Sequence, residues 1–196
     1  MDYIVAMENL ISHLANRKVP KTRANYPVIS SLKDLLDGAI SSSPNEMDRR
    51  DAKGNLRGID MGISIYGEGE PGPAQMRALA KASSNIAKVR DLIIERWIKN
   101  QRNKTGDIPW AWADIVATED QLRKDARDNL LIETVHGKIF LKDVSYEHKA
   151  TGDVSVEFWF NTTSLYGYHV LIVTDCTDPK TGSLLPIEKW NMEIGG

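Results

Sequence analysis

Between residues 139 and 194 the chain returns repeatedly to β-branched and aromatic residues, and glycine-bearing turns break these runs at short intervals. The runs are Ile139-Phe140-Leu141, Val144-Ser145-Tyr146, Val154 to Phe160 and Tyr168 to Val173. Branched and aromatic side chains pack well on a pleated surface, so this pattern predicts consecutive antiparallel strands.

Turn chemistry sets the expected register. Ala150-Thr151-Gly152 suits a three-residue hairpin loop with glycine in the left-handed position. That loop pairs Lys149 with Asp153, and sets Val144, Tyr146 and His148 opposite Phe158, Val156 and Val154 on one apolar face. The turn from Thr163 to Gly167 pairs Phe160 with Val170 and Phe158 with Ile172. It sets Trp159 beside Leu171 on the opposite face, as a covered pair or an exposed contact patch. Asp178-Pro179-Lys180-Thr181-Gly182 reads as a type I turn. It leads into a fourth strand over 187–194, and a four-stranded meander results.

Upstream, Ile4, Met7, Leu10, Ile11 and Leu14 recur at helical spacing, and Ser30 or Ser31 can cap a second short helix from Leu32 to Ile40. Residues 41–58 are polar and rich in breakers. Ile59, Met61, Ile63 and Ile65 then alternate with Asp60, Gly62, Ser64 and Tyr66, a strand. Pro73 opens a helix carrying Met76, Leu79 and Ala80. Ser83-Ser84-Asn85 caps a longer helix with Ile86, Val89, Ile93, Ile94 and Trp97 as its buried stripe. Thr118 and Gln121 form a capping box for a short helix through Arg127. The expected fold is α+β, a C-terminal antiparallel meander packed against helices. Its expected division is an N-terminal helical segment (1–45), a polar linker (46–58) and an α+β domain (59–196).

The 196-residue chain is long enough to bury a core without metal or disulfide. A net charge of −2 with 27% charged residues is ordinary for a globule and argues against a dedicated nucleic-acid binder. The N-terminus lacks the basic region of a secretory signal, and no apolar run reaches about eighteen residues. A cytoplasmic protein without a membrane partner is therefore expected. Cys176 is the one cysteine, read as a small buried residue at a strand end.

Gly67-Glu68-Gly69-Glu70-Pro71-Gly72 matches G-x-G-x-x-G between a strand and a helix. Glu68 and Glu70 would repel a pyrophosphate, Pro71 removes an amide donor, and no following parallel strand ending in an acid is readable. The segment is expected to be an acidic strand-to-helix turn. His13, His136, His148 and His169 show no metal-ligand spacing, and each is read as a partly exposed structural histidine. No nucleophile elbow, P-loop or kinase motif set is present. Arg96, Lys99, Arg102 and Lys104 read as compensation of a helix dipole. No catalytic residue, metal or cofactor is therefore assigned.

From Ile59 onward the chain resembles a family of small uncharacterised bacterial domains of unknown function. The resemblance rests on the alternating strand followed by Gly-Glu-Pro-Gly-Pro-Ala-Gln (69–75), the long helix ending at Trp97, the short helix near Thr118 to Arg127, and the terminal hairpin. Gly167 matches the family's Glu-His-Gly pattern, with Leu165 and Tyr166 in place of the acid and the histidine. Such domains are often encoded beside bacterial toxins, which implies that some neutralise a toxin by binding it.

The expected function is a non-enzymatic protein-binding domain, of immunity or antitoxin type, with a toxin as candidate partner. Its expected contact residues are Trp159, Leu171, Glu68 and Glu70. One alternative is an enzyme using His169, Asn161 and Glu157 on the second sheet face. Another is a structural subunit of a phage or other assembly with the N-terminal helices as an arm.

Overall fold

A computed structural model of the chain describes residues 26–30, 34–35, 38, 40–41, 49–56, 59–103, 119–141, 149–162 and 170–195. In chain order the elements are β1 (Val28–Ile29), β2 (Ile40–Ser41), β3 (Arg49–Leu56), β4 (Ile59–Tyr66), α1 (Pro73–Ser83), α2 (Ile86–Asn103) and α3 (Glu119–Asn129). They continue with β5 (Leu131–Phe140), β6 (Val154–Asn161), β7 (Val170–Thr174), a 3₁₀ turn (Ile187–Lys189) and β8 (Asn191–Gly195).

The strands form one sheet in the order β1-β3-β4-β5-β6-β7-β8, and the two-residue β2 shares the outer edge of β3 with β1. β4 and β5 run parallel, joined through the three helices. From β5 to β8 the chain is an antiparallel meander. The fold is α+β, as the pattern of runs and helical stripes implies.

Each helix forms where its apolar spacing and its ends agree. Pro73 occupies the first turn of α1, and the Gly72 N–H donates to Oε1 of Gln75 at 2.9 Å. The same Gln75 amide donates to the Phe140 carbonyl, tying the helix start to the end of β5. Ile86, Val89, Ile93, Ile94 and Trp97 are all buried, so the stripe read on α2 is its core face. Arg123 of α3 donates two hydrogen bonds to Glu95 of α2, at 2.7 and 3.0 Å. α1 lies over β5 and β6. Leu79 packs onto Gly137, where a Cβ would stand 2.5 Å from Leu79 Cδ1. The core thus lies between the helices and the sheet face built from Met61, Ile63, Ile65, Val135, Ile139, Val156, Phe158, Phe160, Leu171 and Val173.

The structure corrects four expectations. The supposed linker over 46–58 contains β3, whose eight residues pair along the whole of β4. Its outward residues Arg49, Asp51, Lys53 and Asn55 lie on a polar sheet face, so the strand has the composition of a linker. Where a short helix was expected from Leu32 to Ile40, Asp34 and Leu35 are helical but Ile40 belongs to β2. The helical reading of residues 1–16 lies outside the described residues.

The third correction concerns the partner of β6. Gly152 does turn the chain in the left-handed region, with φ 84°. However, the N–H of Phe140, not Lys149, pairs with the Asp153 carbonyl. β5 pairs with β6 from Val154 to Asn161 and β7 pairs with its other edge from Phe158 to Asn161, so Phe158 has strand partners on both sides. Val135, Gly137 and Ile139 stand opposite Phe158, Val156 and Val154, preserving the expected apolar face with a longer strand. Residues 144, 146 and 148 lie outside the described residues.

The fourth is a one-residue slip between β6 and β7. Phe160 pairs with Leu171, Phe158 with Val173, and Trp159 with Ile172. Because Val-Leu-Ile-Val is apolar on both faces, alternation could not choose between the two registers. The observed register buries Leu171 and Val173 against the helices. Leu171 is therefore a core residue on the opposite face from Trp159. The expected Trp159–Leu171 patch is replaced by Trp159–Ile172.

Candidate binding face of the sheet

The sheet face turned away from the helices carries charge in cross-strand rows. Asn55, Asp60, Thr134, Trp159, Ile172 and Glu193 form one row. Lys53, Gly62, His136 and Glu157 form the next, and Asp51, Ser64, Lys138 and Ser155 the third. Arg49, Tyr66 and Phe140 follow, with the Tyr66 and Phe140 rings stacked at 5.0 Å.

The middle of this face holds a serine, a histidine and an aspartate, but not in the order that activates a nucleophile. Ser64 Oγ donates to Asp51 Oδ1 at 2.6 Å and lies 3.0 Å from His136 Nε2. A hydroxyl has one proton, and Ser64 directs it to Asp51; the contact with His136 is then a hydrogen bond in the tautomer that carries its proton on Nε2. Ser64 is also fully buried. Arg49 closes the chain by holding Asp51 with Nε at 3.0 Å. Burial keeps the His136 pKa below its usual value, against the pull of Glu157 and Asp51 and with the help of Lys138 and Arg49. The group is a relay of hydrogen bonds across β3, β4 and β5.

Beside it lies a polar cleft of about 370 Å³ whose lining includes Lys138, Lys149, Glu157, Asp175, Asn191 and Glu193. Lys138 pairs with Glu157 at 2.5 Å, and Lys149 with Asp175 at 2.6 Å. The Trp159 indole N–H donates to the other oxygen of Glu157 at 3.3 Å. Asp175 follows β7 with φ 53°, a left-handed conformation that aspartate tolerates better than most residues. The turn carries the chain from the exposed Asp175 to the buried Cys176, and burial pushes that thiol up to about 12.

The expected contact residues are not brought together. Trp159 stands opposite Thr134, which aligns with Asp60 near the start of β4. Glu68 and Glu70 follow the end of that strand, roughly 20 Å away at the usual rise per residue. Both glutamates are exposed. Glu70 pairs with Arg50 at 2.8 Å, and the same guanidinium donates to the Gly69 carbonyl.

One objection to the dinucleotide reading falls, since β5 does follow in parallel. The rest stands: β5 ends at Phe140 and not on an acid, Glu68 and Glu70 are exposed at the turn, and Pro71 carries no amide N–H; the Gly72 amide is in addition taken by Gln75. Among the described residues, no group of three His, Cys, Asp or Glu could hold a metal, and no helix is long and apolar enough to cross a membrane.

Sequence reasoning missed Asp51, Ser64, His136 and Lys138 as neighbours. The signal was present: Thr134, His136 and Lys138 alternate with Val135, Gly137 and Ile139, which marks a half-buried strand. His169, in the enzyme alternative, lies outside the described residues; Glu157 and Asn161 share the second face. No protein-family model, curated protein or solved structure matches the chain.

Proposed function

We propose that this chain is a cytoplasmic, non-enzymatic protein-binding domain, of the kind that neutralises a bacterial toxin by occupying it. The observation that carries the reading is the half-buried Trp159 on the helix-free face, flanked by Thr134 and Ile172 and anchored to Glu157. Protein interfaces combine a fixed aromatic anchor with a surround of charged groups, and the Lys138–Glu157 and Lys149–Asp175 pairs supply that surround. The family resemblance from Ile59 onward points the same way.

The test is co-purification from native cells with the natural chain and with Trp159→Ala, followed by calorimetric titration of the recovered partner. Truncating a central tryptophan anchor is expected to weaken binding at least about thirtyfold. Equal affinity for both chains, or no specific partner with either, overturns the proposal.

A further inference from the structure

We infer that the partner adds an extended strand to β8, with apolar side chains on the helix side and a basic side chain opposite Glu193. This deepens the protein-binding reading and rests on it. Among the described residues β8 is the outer strand, paired with β7 on one side only. Its sequence, Asn-Met-Glu-Ile-Gly, contains neither the proline nor the lysine that commonly guards an open edge. Asn191, Glu193 and Ile194 are exposed, so nothing among the described residues covers the strand. An open edge of this kind recruits an extended peptide through main-chain hydrogen bonds, and its alternate side chains select the sequence.

Both faces of β8 specify the occupant. Met192 and Ile194 stand opposite Val173 and Leu171, on the helix side, and call for apolar neighbours. Glu193 stands opposite Ile172 on the charged face and lines the cleft. In that cleft the lysines 138 and 149 are paired with Glu157 and Asp175, while Glu193 has no ion pair among the described residues. The unmatched charge is negative, and it sits on the open edge. A second copy of this chain fits poorly, because full antiparallel overlap of two β8 strands sets Glu193 against its own copy.

The experiment titrates the isotope-labelled full chain with two capped hexapeptides, one alternating Val and Lys, the other alternating Val and Glu. The Lys peptide is expected to shift the amides of residues 191–195 and slow their exchange with solvent. The Glu peptide should bind at least about fivefold more weakly, and Glu193→Lys should reverse the order. N-methylation of the peptide amides that face β8 should abolish binding. Equal affinity for the two peptides, or amide shifts centred on Trp159, overturns the inference. So does protection of β8 that rises with protein concentration as the mass doubles, which identifies a second copy as the occupant. A native partner lost on Trp159→Ala but indifferent to Glu193→Lys sinks the strand addition alone. A Lys peptide seated on β8, together with a native partner that binds Trp159→Ala as tightly as the natural chain, sinks the Trp159 reading alone.

Discussion

Gly62 lies against the imidazole of His136: a Cβ at position 62 would stand 3.0 Å from Nδ1 and 3.3 Å from Cε1. The ring can reach Ser64 on the same strand because the neighbouring residue has no side chain. Gly62→Ala is expected to push the ring aside, stretch its 3.0 Å contact with Ser64 and destabilise the fold by about 1–3 kcal/mol. Urea unfolding measures this. In a double-mutant cycle, Gly62→Ala combined with His136→Ala should cost less than the two single changes added, because the second change vacates the space the first needs. Simple additivity would mean that the two residues do not press on one another.

The lowered His136 pKa makes stability depend on pH in a stated direction. Burial is the largest cause, and the value lies below the ordinary 6.5. The unfolded chain therefore takes up a proton near 6.5 that the folded chain still refuses. Stability from this group is fully present above 6.5 and is lost as the pH falls through the lower folded value. Urea unfolding between about pH 7.5 and about pH 5 should show a steeper loss for the natural chain than for His136→Gln, which keeps a donor toward Ser64. Parallel curves would place the titrating group elsewhere.

Cys176 offers a probe of opening. The side chain is fully buried, and burial, aided by Asp175, pushes the thiol to about 12. Only the thiolate reacts with alkylating reagents, so both access and ionisation protect it. Iodoacetamide labelling of the folded chain should run at least about a hundredfold slower than in urea, and should follow global unfolding. Rapid labelling without urea would show that the segment after β7 opens by itself.

What the sequence made legible depended on whether a local rule had one solution. The α2 stripe from Ile86 to Trp97 allows one buried face, and it is the buried one. β4 could be read because Ile59, Met61, Ile63 and Ile65 leave no other parity. β3 could not, because a strand bordering a charged face has the polar composition of a linker. The β6–β7 register was illegible for the opposite reason, since Val170 to Val173 are apolar on both sides and either parity buries hydrophobic surface. The candidate site suffered most from these two failures. Asp51 belongs to the unread β3, and the slip in β7 exchanged Ile172 for Leu171 beside Trp159.

Gly182 and Gly69 separate the cost of a backbone conformation from the cost of a clash. Both have positive φ, +69° and +103°. Gly182 closes the turn at Asp178, whose carboxylate accepts from the Lys180 and Thr181 amides, and its own carbonyl accepts from Asn85 of the α1–α2 junction. A Cβ there would stand 2.2 Å from the Ala78 carbonyl oxygen and 2.8 Å from the Ala82 nitrogen. Both are helix backbone, which cannot swing away as a side chain end can. At Gly69 a Cβ would meet nothing within 4 Å, so Gly69→Ala carries the conformational cost alone, about 1–2 kcal/mol. Gly182→Ala adds the collision with α1 and is expected to destabilise by about 4 kcal/mol or more. Chemical unfolding of the two variants side by side reads the difference. Equal losses would mean that the turn at 178–182 does not press against α1, and that the seam between the helix layer and the segment leading to β8 is looser than the packing around Gly182 requires.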